Sequence, residues 1–144
     1  MKGNLLKLQD LKKDNEWCDK DRVILFACFQ ILVDFIEKEK PQRIVDYKSD
    51  KDHKRQWKEL QALYRYWKIE RPRLQKDANR ALMKSGIKMV TGPSKSSGAC
   101  SGTIKFTFKD KRAYNRGCRL DDKQHRLDSE MLQRLINIRH HLWC

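Results

Sequence analysis

Glycine and proline are scarce in this chain of 144 residues, at six and three respectively, while 39% of it is hydrophobic and 36% charged. That balance is too apolar for a wholly disordered chain and too charged for a membrane protein. No long hydrophobic run is present. The richest, Val23 to Ile36, is interrupted by Gln30 and Asp34 and falls short of the ~20 residues a bilayer span requires. The N-terminal stretch MKGNLLKLQDLKKDNEW has neither an unbroken apolar segment nor a small-residue cleavage site, so it does not read as a secretory signal. Cysteine pairs are missing too. Cys18, Cys28, Cys100, Cys118 and Cys144 are odd in number and scattered, with no C-x-x-C. This argues against a disulfide framework and for free thiols in a reducing compartment. Cys28, inside the most apolar stretch, reads as a small core residue. No internal repeat is visible.

The remaining scarcity is of acid in one place. Residues 73–119 contain twelve Lys or Arg against only Asp77 and Asp110, which concentrates +10 of the formal +14 in about a third of the chain. Elsewhere charges nearly cancel. A field this lopsided attracts a polyanion and repels itself.

Around that segment the apolar pattern is helical. Asp21 to about Lys40 has Val23, Ile24, Phe26, Ala27, Ile31 and Phe35 on one broad face. Leu25, Cys28, Phe29, Leu32 and Ile36 extend it almost all round, as in a buried central helix of a bundle. Asp19 or Asp21 can cap its start and Pro41 follows its end. A second helix is expected from about Asp50 to Glu70, with Trp57, Leu60, Leu63, Tyr64 and Trp67 at three- and four-residue spacing. Ser49, Asp50 or Asp52 can cap it, and Pro72 should end or kink it with Arg71 in extended backbone. A last helix, about Asp121 to Leu142, carries the stripe Leu127, Met131, Leu135, Ile138 and Leu142. Asp121 and Asp122 would sit in its first turn and Arg139, His140 and His141 in its last, as the helix dipole favours.

Within the basic segment, Leu74, Ala78, Ala81 and Leu82 suggest a short helix ending at Gly86. Ile87 to Thr91 suggests a strand, and GPSKSSGACSG a flexible tip. Thr103 to Lys109 alternates, with Ile104, Phe106 and Phe108 on one face and Lys105, Thr107 and Lys109 on the other. The reading is a hairpin whose apolar face packs on the bundle and whose other face presents lysines. The expected fold is therefore α+β within a single domain, 1–144. Three principal helices form a scaffold (21–72 and 120–144), and one short helix with a basic β-hairpin is inserted before the last helix (73–119).

Candidate contacts to an anionic partner are Lys84, Lys88, Lys95, Lys105, Lys109, Lys111, Arg112, Tyr114, Arg116 and Arg119. The blander alternative is a solvated excursion whose charge only keeps the protein soluble. Base-specific readout is not signalled, since zinc-finger spacing and aromatic-rich RNA-binding strand motifs are both missing. Tyr66 and Tyr114 are the aromatics best placed to stack bases, whereas Trp57, Tyr64 and Trp67 read as core. Gly92 to Gly98 superficially resembles a phosphate loop, but Ala99 and Cys100 stand where that motif needs Lys and Ser or Thr. Metal ligands could be drawn from Cys100, Cys118, His125, His140, His141 and Cys144. His140 and Cys144 are four apart, but no second pair on a tight turn accompanies them. The expectation is no metal, no cofactor and no catalytic site, because no motif fixes a nucleophile or a general base.

Three stretches resemble segments of small uncharacterised proteins of tailed bacteriophages. WKELQALYRYWKIERPR, residues 57–73, is similar to their LYRWWK-x-ERP-x-R segment. LINIRHHLW, residues 135–143, is similar to their LIxIRxxLW ending. Ala27-Cys28-Phe29-Gln30 before Val33-Asp34-Phe35 resembles their ACFQ…VDF helix. The resemblance covers about 60 of the 144 residues and implies a helical scaffold of phage origin. It carries no activity and no site residue. The basic middle and the terminal Cys144 depart from its pattern. Two partners remain open, each met in a host cytoplasm and neither a membrane. One is DNA or RNA, held with little sequence preference. The other is an acidic surface on a host protein, such as a nucleic-acid-handling enzyme or a defence system, on which the chain would dock as an inhibitor, in an anti-CRISPR-like manner, or as an adaptor.

Overall fold

The computed structural model describes Leu6, Leu8, residues 19–93 and residues 102–142. Helix α1 spans Lys20–Asp34 and continues as a π-turn, Phe35–Glu39. Helix α2, Lys51–Arg65, continues through a π-turn, Tyr66–Glu70, into α3, Arg71–Ser85. Strands β1, Lys88–Pro93, and β2, Gly102–Thr107, form an antiparallel hairpin, and α4 follows as Lys111–Asn137. The architecture is mainly helical α+β with the hairpin before the last helix, as the pattern of apolar residues predicts. Among the described residues no helix is long and apolar enough to cross a membrane.

The described chain gathers into two compact units, one of residues 1–71 with 126–144 and one of residues 72–125. The first contains the main core. Leu25, Phe26, Phe29, Leu32, Val33 and Phe35 meet Leu60, Leu63, Tyr66, Trp67 and Leu135, all buried. Phe29 stacks on Trp67 at a centroid distance of 4.4 Å, and Phe26 meets the same indole edge-on at 5.0 Å. Beside these rings Asp128 accepts from Tyr66 Oη at 2.6 Å and takes a forked bond from Arg71, Nε to Oδ1 at 2.9 Å and Nη2 to Oδ2 at 3.1 Å. The Arg71 guanidinium also lies over Trp67, 4.7 Å from the ring centre. The charge is thus removed from water with its donors largely satisfied.

Several local expectations are corrected. Pro72 neither ends nor bends the backbone to extended form: Arg71 is helical, at φ −58° and ψ −50°. The Arg71 N–H reaches back five residues to the Tyr66 carbonyl. This wider turn sits directly before the proline, where an ordinary helix would set the ring against the carbonyl four residues back. Helix α4 starts ten residues earlier than its apolar stripe suggests. Asp110 caps it, Oδ1 accepting from Ala113 N at 2.9 Å, so Asp121 and Asp122 lie mid-helix. Its α-helical part stops at Asn137, and Arg139–His141 form a separate 3-10 turn. Asp50 is the residue that caps α2, accepting from the backbone N–H groups of Asp52 and His53. At α1, Asp19 holds the cap position without a side-chain bond. Nor is α1 buried all round, because Ile24 and Ile31 are exposed.

Candidate nucleic-acid interface

In the unit of residues 72–125, α3 and α4 run antiparallel, and close contacts fix their register. Ser85 at the end of α3 accepts through its carbonyl from the N–H groups of Lys109 and Asp110 just before α4. Further along, Gly117 faces Leu82, and beyond it Gln124 Nε2 donates to Gln75 Oε1 at 2.8 Å. A β-carbon at Gly117 would lie 2.7 Å from Leu82 Cδ2. Ala78, Ala81 and Ala113 complete the buried seam. Small residues here let the two backbones approach closely.

The cations lie away from that seam. On α4, Arg112, Arg116, Arg119 and Lys123 are all exposed, and at roughly 100° per residue they fall within a sector of about 60°. On α3, Arg73, Lys76, Arg80 and Lys84 are exposed and share a sector of about 80°. Both stripes are displaced from the seam in the same rotational sense, by roughly 110–140°. For an antiparallel pair, displacement in the same sense places both on one side. Among the described residues Arg80 is the one of these eight with a carboxylate in ion-pair range, Asp77 at 3.5 Å. The charge density seen in the sequence is therefore not neutralised internally by the described carboxylates.

The sequence-predicted candidates divide accordingly. Arg112, Arg116 and Arg119 stand together on α4, and Lys84 on α3; Lys111 is exposed at the start of α4. Lys88 and Lys105 are exposed on one face of the hairpin, as the pairing of Lys88 with Thr107 and of Val90 with Lys105 requires. Lys109 is exposed just after β2, its aliphatic stem against Gly86, which adopts φ +56° to end α3. Lys95 lies outside the described residues, as do Cys100 and Cys144. Sequence reasoning missed Arg73, Lys76, Arg80 and Lys123 as members of the stripes. The signal was their spacing of three and four residues, which becomes informative once α3 and α4 have their true limits.

One reading of an aromatic is overturned. Tyr66 is buried and committed to Asp128, so it offers no face to a base. Burial, then the bond to Asp128, push its hydroxyl pKa far above the ordinary value. Tyr114 is half-buried, its ring 4.2 Å from Phe108. The hairpin's apolar face is not covered either: Met89, Ile104 and Phe106 are 63%, 58% and 55% exposed. The residue of that alternating set that does pack is Phe108, just beyond β2. Among the described residues no three His, Cys, Asp or Glu side chains converge as metal ligands would. His140 and His141 lie ring to ring at 3.9 Å, and burial, then His140, lower the pKa of His141. Compared with known protein families, curated proteins and solved structures, the chain matches none.

Proposed function

We propose that the unit of residues 72–125 is a non-enzymatic module that binds DNA or RNA through the phosphate backbone, with little sequence preference. The observation that carries this reading is the pair of exposed cationic stripes on adjacent antiparallel helices, of whose eight described cations Arg80 alone has an ion-pair partner, Asp77 on its own helix. From Arg112 to Lys123 a stripe runs about 16 Å at roughly 1.5 Å per residue, long enough to follow several consecutive phosphates. Lys88, Lys105, Lys109 and Lys111 extend the positive field along the hairpin and into α4. Phosphate contacts of this kind position a protein on nucleic acid without reading bases. In the phage setting that the sequence resemblance suggests, such a module would act as an accessory protein in the host cytoplasm.

Fluorescence anisotropy with labelled duplex DNA, single-stranded DNA and RNA, repeated at two salt concentrations, tests the proposal. Arg112→Glu, Arg116→Glu, Arg119→Glu and Lys123→Glu together should abolish binding while circular dichroism stays helical. The set Lys105→Glu, Lys109→Glu, Lys111→Glu and Arg112→Glu should weaken it as well. No binding even at low salt sinks the proposal. One observation favours a second reading: the exposed apolar trio Met89, Ile104 and Phe106 beside lysines suits an acidic, partly apolar protein surface. Such a surface would belong to a host nucleic-acid-handling enzyme or defence protein that the chain inhibits. Pull-down from nuclease-treated host lysate, with Phe106→Ser as the negative control, tests that reading.

A further inference from the structure

A second basic surface lies in the other unit, where the sequence spreads a smaller positive excess over a longer stretch. The segment after α1 turns sharply: Lys40 takes a left-handed conformation, φ +52°, and Pro41–Arg43 form a 3-10 turn. The loop then ties itself together. Pro41 accepts through its carbonyl from Ile44 N and Val45 N, Tyr47 N donates to Val45 O, and Asp46 Oδ1 accepts from Lys48 N at 2.9 Å. These bonds hold Tyr47 against Trp57 of α2, ring on ring at 4.7 Å and 21° between planes. Between loop and helix lies a cleft of about 630 Å³ lined by Arg43, Tyr47, Lys48, Lys54, Trp57 and Lys58, among others.

The chemistry of that lining is specific. Four cations face the cleft against one carboxylate, Asp46, which the backbone of Lys48 already occupies. None of Arg43, Lys48, Lys54 and Lys58 has a carboxylate within ion-pair range among the described residues. Lys54, Trp57 and Lys58 lie on one face of α2, at helical spacing, so a ring and two ammonium groups are presented together. Trp57 is only half-buried, at the margin of the core. Cations that stay unpaired around a stacked aromatic pair suit a ligand with a flat ring and attached negative charge. The volume falls within the range of roughly 300–1,000 Å³ common for small-ligand sites.

We infer that this cleft binds a nucleotide unit, its base extending the Tyr47–Trp57 stack and its phosphate held by Lys54, Lys58, Arg43 and Lys48. The same chemistry is offered by a free nucleotide and by one residue of a single strand. The site is independent of the module proposed for residues 72–125, because all its residues lie between positions 42 and 61.

Tryptophan fluorescence is the direct probe, with Trp57→Phe identifying the contribution of Trp57 among the four tryptophans of the chain. AMP, ATP and a ten-residue oligothymidylate would be titrated at low salt into the full chain carrying the four α4 stripe reversals. Persistent quenching that disappears in Trp57→Phe supports the site, and its absence with every probe overturns it. Tyr47→Ala, and Lys54→Glu with Lys58→Glu, should each weaken binding by about tenfold or more, with helical content retained. Equal competition by inorganic triphosphate overturns the stacking role, since a mere anion site would not distinguish them. Tighter binding of the oligonucleotide than of AMP assigns the site to single strands; the reverse order assigns it to free nucleotides. Quenching seen only when the α4 stripe is intact also overturns the inference, and it leaves the module of residues 72–125 standing.

Discussion

Asp128 is buried at the start of the apolar face of α4, where a carboxylate is costly unless its oxygens are engaged. Tyr66 and the forked guanidinium of Arg71 engage them, and Phe26 and Trp67 cover the guanidinium. Asp128→Ala should therefore cost about 3–5 kcal/mol, because it leaves a buried guanidinium unpaired. Tyr66→Phe, which removes one donor, should cost about 1–2 kcal/mol; urea unfolding measures both. A second ion pair gives a pH signature. Arg134 donates from Nε and Nη2 to Glu59 at 2.7 and 2.8 Å. That bond, against opposing desolvation, lowers the Glu59 pKa from its ordinary 4.5. A lowered folded pKa means that the stabilisation is complete above 4.5 and fades as pH falls through the folded value. Below pH 4.5 the urea midpoint should fall more steeply in the wild type than in Glu59→Gln. Equal slopes would remove the pair as the cause.

At the scale of elements, helical periodicity locates α1, α2 and the apolar part of α4, because spacing of three and four residues is a local property. Boundaries depend on competing local choices. Asn115 and Gly117 are poor helix formers, which favours starting the last helix at Asp121. The structure carries it back to Lys111 because the first turns pack on α3 and Asp110 caps them. Gly117 is the residue that permits that packing. Gly117→Ala gains up to about 1 kcal/mol of helix propensity, yet its new methyl meets Leu82 Cδ2 at 2.7 Å and Leu82 N at 3.2 Å. The net result should be a loss of about 1–2 kcal/mol. A double-mutant cycle with Leu82→Ala should show favourable coupling, since shortening Leu82 relieves the side-chain part of the contact. Independent, additive effects would contradict the close approach. Proline teaches the same lesson in reverse: Pro72 reads as a terminator, but the π-turn before it, Tyr66–Glu70, lets the helix continue.

At the scale of the whole molecule, the formal charge of +14 makes polyanion binding strongly dependent on salt. If about five cations of the two stripes meet phosphates, the logarithm of the association constant should fall against log salt with a slope of about −4 to −5 on duplex DNA. Each reversed stripe residue that is a true contact should reduce the slope by about one. A slope near zero would remove phosphate contact as the source of binding. The same electrostatics accounts for which part of the candidate interface can be read from residues alone. Lys84, Arg112, Arg116 and Arg119 announce themselves by density of charge. Arg73, Lys76, Arg80 and Lys123 gain meaning only when two helices place them in register.

By itself the chain order determined the helical elements, the hairpin and the concentration of positive charge, since each follows from spacing and composition over a few residues. Burial is a property of partners distant along the chain, and the tertiary structure alone decided it. It committed Tyr66 to Asp128 rather than to a ligand, left Met89, Ile104 and Phe106 uncovered, and set two basic stripes on the same side of a close helix seam. It also brought Tyr47 from a loop onto Trp57 of a helix. Local sequence constrains backbone conformation strongly, whereas the surface a side chain presents depends on what long-range packing covers.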